Sequence, residues 1–215
     1  DASVKAVDAA VEQFDRQIFL VAQKDSEKST PLNDDLCTVG TVSRILQVLR
    51  LPDGTTKVLF EGLYRASWHV DGDDSALEQA LPLVQVQALE EDRSPDEEEQ
   101  ATIKVARELF DDYAKQTNRL TPEIIQSIGA VQDAGKLADA IAPHIKVNYL
   151  KKQTILEELQ TAPRLEKLCA LLVGETSINS LEKRIRTRVK EQMEQNQREY
   201  YLNEQIKAIH KELGR

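Results

Sequence analysis

"SINSLEKRIRTRVKEQMEQNQREYYLNEQIKAIHKEL", Ser177 to Leu213, runs for 37 residues without a glycine or a proline. Read as one helix, it is roughly 55 Å long at 1.5 Å per residue. That is more than a small bundle can cover. Apolar residues fall at Ile178, Leu181, Ile185, Val189, Met193, Tyr200, Ile206, Ile209 and Leu213. Their spacing is mostly three and four, but three successive steps of four from Leu181 to Met193 break a strict heptad. Between Met193 and Tyr200 the seam is polar. A long helix with one thin apolar stripe is packed at its start, then bridges to something or pairs with a copy of itself. Tyr200 and Tyr201 lie about 100° apart around the axis, so at least one is expected to face a partner or solvent.

Upstream, the chain divides by pattern. "SVKAVDAAVEQF" places Val4, Val7, Ala10, Val11 and Phe14 at helical spacing. Five strand-like runs follow: "QIFLVAQ", "TVGTVSRILQVLRL", "TTKVLFEG", "LYRASWHV" and "LPLVQVQAL". "KDSEKSTPLNDD" reads as a loop, and Pro52-Asp53-Gly54 as a turn: proline pre-sets φ and Asp-Gly accepts positive φ. "DGDDSALEQA" is a second loop, with Pro82 at the start of the last strand, where a missing donor is tolerated. Strands joined by short turns predict a small sheet or an open barrel.

At "EEDRSPDEEEQ" the composition changes. Seven acidic residues lie between Glu90 and Glu99. Ser94 as N-cap, Pro95 at the first helical position and Glu97 predict a capping box, with the acids at the positive end of the helix dipole. Beyond it, "EQATIKVARELFDDYAK" sets Ala101, Val105, Leu109 and Phe110 on one face. "TPEIIQSIG", "DAGKLADAIA", "KKQTILEELQ" and "TAPRLEKLCALLV" read as further short helices of a compact bundle.

Bulk composition agrees with a two-lobed or elongated body: 40% hydrophobic, 30% charged and 5% aromatic residues, so Leu, Ile and Val do most of the packing. The net charge of −9 is uneven. From Leu181 onward there are nine Lys/Arg and six Asp/Glu, leaving −12 on the first 180 residues. An acidic body argues against nucleic-acid binding as its main role. Cys37 and Cys169 lie in different regions, without a Cys-x-x-Cys, and read as small buried residues in a reducing compartment. No apolar run approaches about 18 residues, and no signal peptide is expected at Asp1. The cytoplasm is the expected location.

Chemistry-bearing patterns are scarce. "GAVQDAGK", Gly129 to Lys136, has five residues between its glycines and Leu137 after its lysine, whereas a phosphate loop needs four and a Ser or Thr. It reads as a helix end and a helix start. His69, His144 and His210 lack partners at metal-ligand spacing. No Gly-x-Ser-x-Gly elbow supports a serine nucleophile. "LEKRIRTRVK", Leu181 to Lys190, carries five cations. It reads as a charged helix face, with Glu182 and Arg186 paired at i,i+4, and nucleic-acid contact there is the secondary reading. No residue is assigned to catalysis, cofactor binding or metal ligation.

Three stretches, "FLVAQKD", "GTVSRILQVLRLPDGTTKVLFEGLYRA" and "EKRIRTRVKEQMEQNQREYYLNEQIKAIHKELG", resemble the amino-terminal region of bacterial Lon proteases, the ATP-dependent endopeptidases La. "QREYYLNEQIKAI" is the most diagnostic. The resemblance covers essentially the whole chain. It implies a β-rich lobe, a helical bundle and a long helix entering an ATPase module. It also implies a homohexamer whose amino-terminal region recognises unfolded or tagged proteins. By the same resemblance ATP and Mg, the Walker motifs and the Ser–Lys dyad belong to the parent protein beyond Arg215. An opening strand of the family is expected to precede Asp1, and without it the sheet has an unpaired edge.

The expected fold is α+β: a small β-rich sheet or open-barrel lobe (residues 1–89), a helical bundle (90–175) and one long C-terminal helix (176–215) leading towards an ATPase module. The expected function is non-catalytic substrate recognition and assembly within a Lon-type protease. The alternative is a standalone adaptor or scaffold that dimerises through the long helix.

Overall fold

The computed structural model describes residues 2–28, 31–69, 83–117 and 120–214. The loop expected at 71–80 and Pro82 lie outside the described residues. Helix α1 (Ala2–Gln13) is followed by strands β1 (Gln17–Leu20), β2 (Val39–Arg50), β3 (Thr56–His69) and β4 (Gln85–Ala88). Helices α2 (Asp96–Thr117), α3 (Pro122–Gly129), α4 (Ala134–Ile141), α5 (Tyr149–Leu156) and α6 (Thr161–Glu212) complete the order. The α+β division is as expected. The sheet is open and antiparallel, in the order β1-β2-β3-β4.

The runs "TTKVLFEG" and "LYRASWHV", expected as two strands, form the single strand β3. The glycine between them marks a bulge rather than a break. Tyr64 pairs with Val42 and Gly62 with Ser43, which leaves Leu63 as an extra residue. A second irregularity leaves Leu46 unopposed between the pairs Ile45–Phe60 and Gln47–Leu59. Arg16 answers it: its guanidinium donates to the carbonyls of Ile45 at 2.9 Å and Leu46 at 3.1 Å. Arg16 and Asp15 sit at φ 61° and 48°, a left-handed pair costing about 1 kcal/mol or more each. The hairpin turn is as read: the Gly54 N–H donates to the Leu51 carbonyl at 3.0 Å, with Gly54 at φ +85°.

Packing is uneven. In the sheet lobe, Val7 and Ala10 of α1 cover Ile45, with Ile18, Val48, Val58 and Phe60 around them. Gly40 is required there, because a Cβ would collide with the Leu20 carbonyl and the Phe19 ring. The larger core joins Ile103, Phe110 and Tyr113 of α2 to Leu137 and Ile141 of α4 and to Leu165, Leu168 and Leu172 of α6. The α2 face differs from the expected one. Of the expected residues only Phe110 is fully buried; Val105 and Ala101 are exposed. Ile103, Ala106, Phe110 and Tyr113 form the inward stripe. Both stripes carry apolar residues at helical spacing, and contact with α4 and α6 selects between them.

The long helix also begins earlier than expected, at Thr161 instead of Ser177. The "TAPRLEKLCALLV" segment is its buried start, and the boundary drawn at 175/176 falls inside a continuous helix. Its first turn is held by the acidic linker. The Asp92 N–H donates to the Leu159 carbonyl, and the Thr161 N–H to the Asp92 carbonyl, both at 3.0 Å. Ser94 does not cap α2. Pro95 takes the cap position, its carbonyl accepting from the Glu99 N–H at 3.0 Å. The Ser94 hydroxyl instead accepts from the Ala162 N–H at 3.2 Å, so it caps α6.

Two arginines lock the lobes together. Arg65 of β3 donates to both Asp139 oxygens, at 2.8 and 2.5 Å, and to the Leu156 carbonyl at 2.9 Å. Arg164 of α6, whose side chain is fully buried, donates to Glu91 at 2.5 Å and to the Glu158 carbonyl at 2.8 Å. Gly135 lets them meet: a Cβ there would lie 3.0 Å from both Arg164 and Glu91. We expect Arg164→Met to destabilise the chain by about 2–4 kcal/mol, because Glu91 loses its closest charge partner and two carbonyls lose donors. The urea midpoint checks this, and an unchanged midpoint contradicts the junction's role.

Candidate functional site

Among the described residues two apolar surfaces stand out as uncovered. The first is the β2–β3 hairpin. Val48 and Val58 pack towards α1, so alternation sends Leu49 and Leu59 to the opposite face. Leu49 opposes Lys57 and Leu59 opposes Gln47, which makes the two leucines diagonal neighbours. They are 48% and 56% exposed. Leu46 and Leu63, the two bulge residues, are exposed as well, with Tyr64 next to Leu63. Bulges re-aim side chains, and here both supernumerary residues are leucines placed outside the core.

The second surface is α6. Its last fully buried residue is Leu172, and every residue from Leu181 to Gly214 is exposed. The 32 helical residues from Leu181 to Glu212 correspond to roughly 48 Å of uncovered helix. Both tyrosines of the Tyr200–Tyr201 pair are exposed. Ile185, Val189 and Met193 line a shallow groove of about 370 Å³, flanked by Arg186, Lys190 and Glu194. Along this stretch Arg186 pairs with Glu182 at 3.8 Å, as expected, and Lys190 with Glu194 at 3.7 Å. Such exposed i,i+4 pairs contribute only about 0.3–0.5 kcal/mol each.

The residues carrying reactive chemistry are dispersed. His69 contacts Gln85 at 3.1 Å in the sheet, the His144 carbonyl accepts from Tyr113 beside the bundle, and His210 is near the exposed end of α6. Among the described residues no group of three or more His, Cys, Asp or Glu is placed to hold a metal ion. The Gly129–Lys136 segment is a helix end and a helix start, as read. Asp133 caps α4 by accepting from the Lys136 N–H at 2.9 Å. Cys37 is buried and Cys169 packs against the bundle core. Burial, and then the nearby Glu166, push the Cys169 thiol up to about 11, and burial likewise raises Cys37.

Sequence reasoning missed the junction and the bulges. Arg164 stands in "TAPRLEKL" at a core position of the helix, which is the available signal that it is paired. Gly62 within a β-rich run is the signal for a bulge. No described helix is long and apolar enough to cross a membrane.

A family model described as the ATP-dependent protease La (LON) substrate-binding domain matches residues 1–174. The Lon protease of Nitratidesulfovibrio vulgaris, strain Hildenborough, is 54% identical over 218 residues, covering 100% of this chain and 26% of that protein. The Lon protease of Escherichia coli K12 is 43% identical over 212 residues, 99% of this chain and 26% of that protein. The chain thus spans about a quarter of the length of these relatives. The solved N-terminal domain of Mycobacterium avium complex Lon protease has a TM-score of 0.65 at 24% identity, covering 80% of this chain and 86% of that one. That is a likeness of fold.

The thiol environments yield a direct test. In the folded chain neither cysteine is expected to react fast with an aromatic disulfide reagent near neutral pH, because both thiols are raised, Cys37 is buried and Cys169 is half-buried. Both react once urea unfolds the chain. A fast-reacting thiol in the native chain contradicts the assignment of both as packing residues.

Proposed function

The chain belongs to the Lon protease substrate-binding domain family, and from that premise we propose that it recognises unfolded or tagged protein clients for an ATP-dependent Lon-type protease. In this reading the ATP, Mg and Ser–Lys chemistry belong to other parts of a cytoplasmic, hexameric parent. This chain supplies capture and assembly. Residues 1–89 and 90–175 form the two-lobed head, and residues 176–215 form the strut towards an ATPase module.

The observation that carries the reading is the exposed apolar hairpin surface around Leu49 and Leu59. A disposal enzyme must bind many sequences that share only exposed apolar side chains. Leucines held on a regular two-stranded ladder meet that need without a sequence code. Each half-exposed leucine has roughly 1 kcal/mol left to gain on full cover, so individual contacts are weak and several must act together.

The groove at Ile185, Val189 and Met193 favours a second reading, a scaffold that dimerises through α6. The two are separable. We expect the chain to bind a permanently unfolded, apolar polypeptide and to hydrolyse no ATP. Leu49→Ser with Leu59→Ser weakens that binding several-fold while leaving the unfolding free energy from urea titration within about 0.5 kcal/mol, as for surface changes generally. ATP hydrolysis by the purified chain refutes the proposal. A tight dimer in sedimentation that shows no client binding supports the scaffold instead.

A further inference from the structure

A cleft of about 1060 Å³ opens between the end of α2, the turn Ala142–His144 with the residues after it, and the exposed part of α6. None of the hairpin leucines lines it, and it shares only Arg186 with the Ile185–Met193 groove. Six cations line it: Lys115, Lys146, Lys183, Arg184, Arg186 and Arg188, against two carboxylates, Glu182 and Glu191. Lys115 is paired with Asp112 at 3.5 Å and Arg186 with Glu182 at 3.8 Å. Lys146, Lys183, Arg184 and Arg188 make no ion pair among the described residues. Four unpaired cations on one cleft reverse the balance of a chain whose net charge is −9.

Like charges so close repel one another, and an anionic occupant relieves that repulsion. The cleft walls narrow the choice of anion. Gln116 and Asn179 line it and their amides offer both donors and acceptors, which suits the alternating N–H and C=O groups of a peptide backbone; the Ser180 hydroxyl beside them already donates to the Thr176 carbonyl at 2.9 Å. A nucleic-acid backbone presents acceptors and continuous negative charge. Glu182, Glu191 and the acidic head oppose a continuous polyanion more than a segment whose carboxylates are separated by uncharged residues. Base stacking finds little platform: Tyr113 is buried, its hydroxyl accepting from the Lys146 N–H at 3.1 Å, and His144, the other ring among the described lining residues, is half-buried.

We propose that this cleft binds an extended, Asp/Glu-rich polypeptide segment, its carboxylates pairing with Lys146, Lys183, Arg184 and Arg188. The proposal rests on the client-recognition reading and names one class of client, held separately from the apolar segments bound at the hairpin.

The test is fluorescence anisotropy on the 215-residue chain with a labelled peptide of alternating Glu and Gly. A Gln counterpart, an oligothymidylate of matching charge and the unfolded apolar polypeptide run alongside. The acidic peptide is expected to bind and to weaken as salt is added. Lys183→Glu with Arg184→Glu on one wall, and Lys146→Glu on the other, each lower its affinity about tenfold. Lys207→Glu, outside the cleft, leaves it unchanged. All these positions are exposed or half-exposed, and an unchanged urea midpoint confirms that the variants fold. Equal binding of the Gln peptide, undiminished binding by the cleft variants, or tighter binding of the oligothymidylate overturns the proposal. So does self-association of the chain that the cleft variants abolish, since that assigns the cleft to a second copy. If the apolar polypeptide is captured and the acidic peptide is not, the cleft proposal fails alone. If neither binds, both readings fail.

Discussion

Arg164 carries a full positive charge at a position with no solvent contact, and much of the architecture is arranged around keeping it satisfied. Its guanidinium reaches Glu91 in the linker and the carbonyls of Glu158 and Leu159 before α6. Through Glu91 and Asp139 it is coupled to Arg65 on β3. A single cluster of two cations and two carboxylates therefore joins sheet, linker, α4 and the root of the long helix. Burying charge is costly unless every partner is present. That requirement gives the cluster specificity: sheet and bundle have one mutual placement in which both arginines are paired. The Gln153 amide, donating to the Val39 carbonyl at 2.8 Å, adds a second tie between the bundle and the start of β2.

The consequence for α6 is mechanical. Its first three turns carry Leu165, Leu168 and Leu172 into the bundle core, with Arg164, the Ser94 N–H donating to the Thr161 hydroxyl and the Ala162 N–H donating to the Ser94 hydroxyl holding the first turn. Everything past Leu181 stands on that root. Most helical stability in proteins comes from packing of an apolar face, which this stretch lacks, and its exposed ion pairs add little. The family match ends at Gly174, just after burial in α6 ends. Up to Leu172 the helix belongs to the bundle core, and from Leu181 outward its side chains are exposed. Its inner part borders a basic cleft. Its middle carries an apolar groove, and its outer part presents Tyr200, Tyr201, Ile206 and Ile209.

Elements with a clear local code were legible in the sequence. The Pro52–Gly54 turn, the α1 helix, the α+β order and the uncovered helix each follow from spacing and turn chemistry confined to a few residues, although of the expected α1 face only Val7 and Ala10 are buried while Val11 and Phe14 stay exposed. What was missed depended on distant partners. Ser94 has the local signature of a cap for α2, yet its hydroxyl serves α6, because the linker runs beside the start of that helix. Gly62 looked like a strand break because a bulge needs the register of the opposite strand to be recognised. The inward face of α2 was misread because both candidate stripes carry apolar residues and only α4 and α6 choose between them. For the candidate site, the exposed seam of α6 could be read, whereas the outward leucines of the hairpin required knowing which face α1 covers.

Hydrogen exchange along α6 measures most directly whether one anchored end supports an otherwise uncovered rod. With the chain held monomeric, amides from Thr161 to Leu172 should exchange only on global unfolding. Those from Leu181 to Gly214 should exchange through local fraying, far faster. Protection that continues undiminished to Gly214 in the monomer would contradict the account, because it would mean that the distal helix is stabilised by contacts this architecture does not contain.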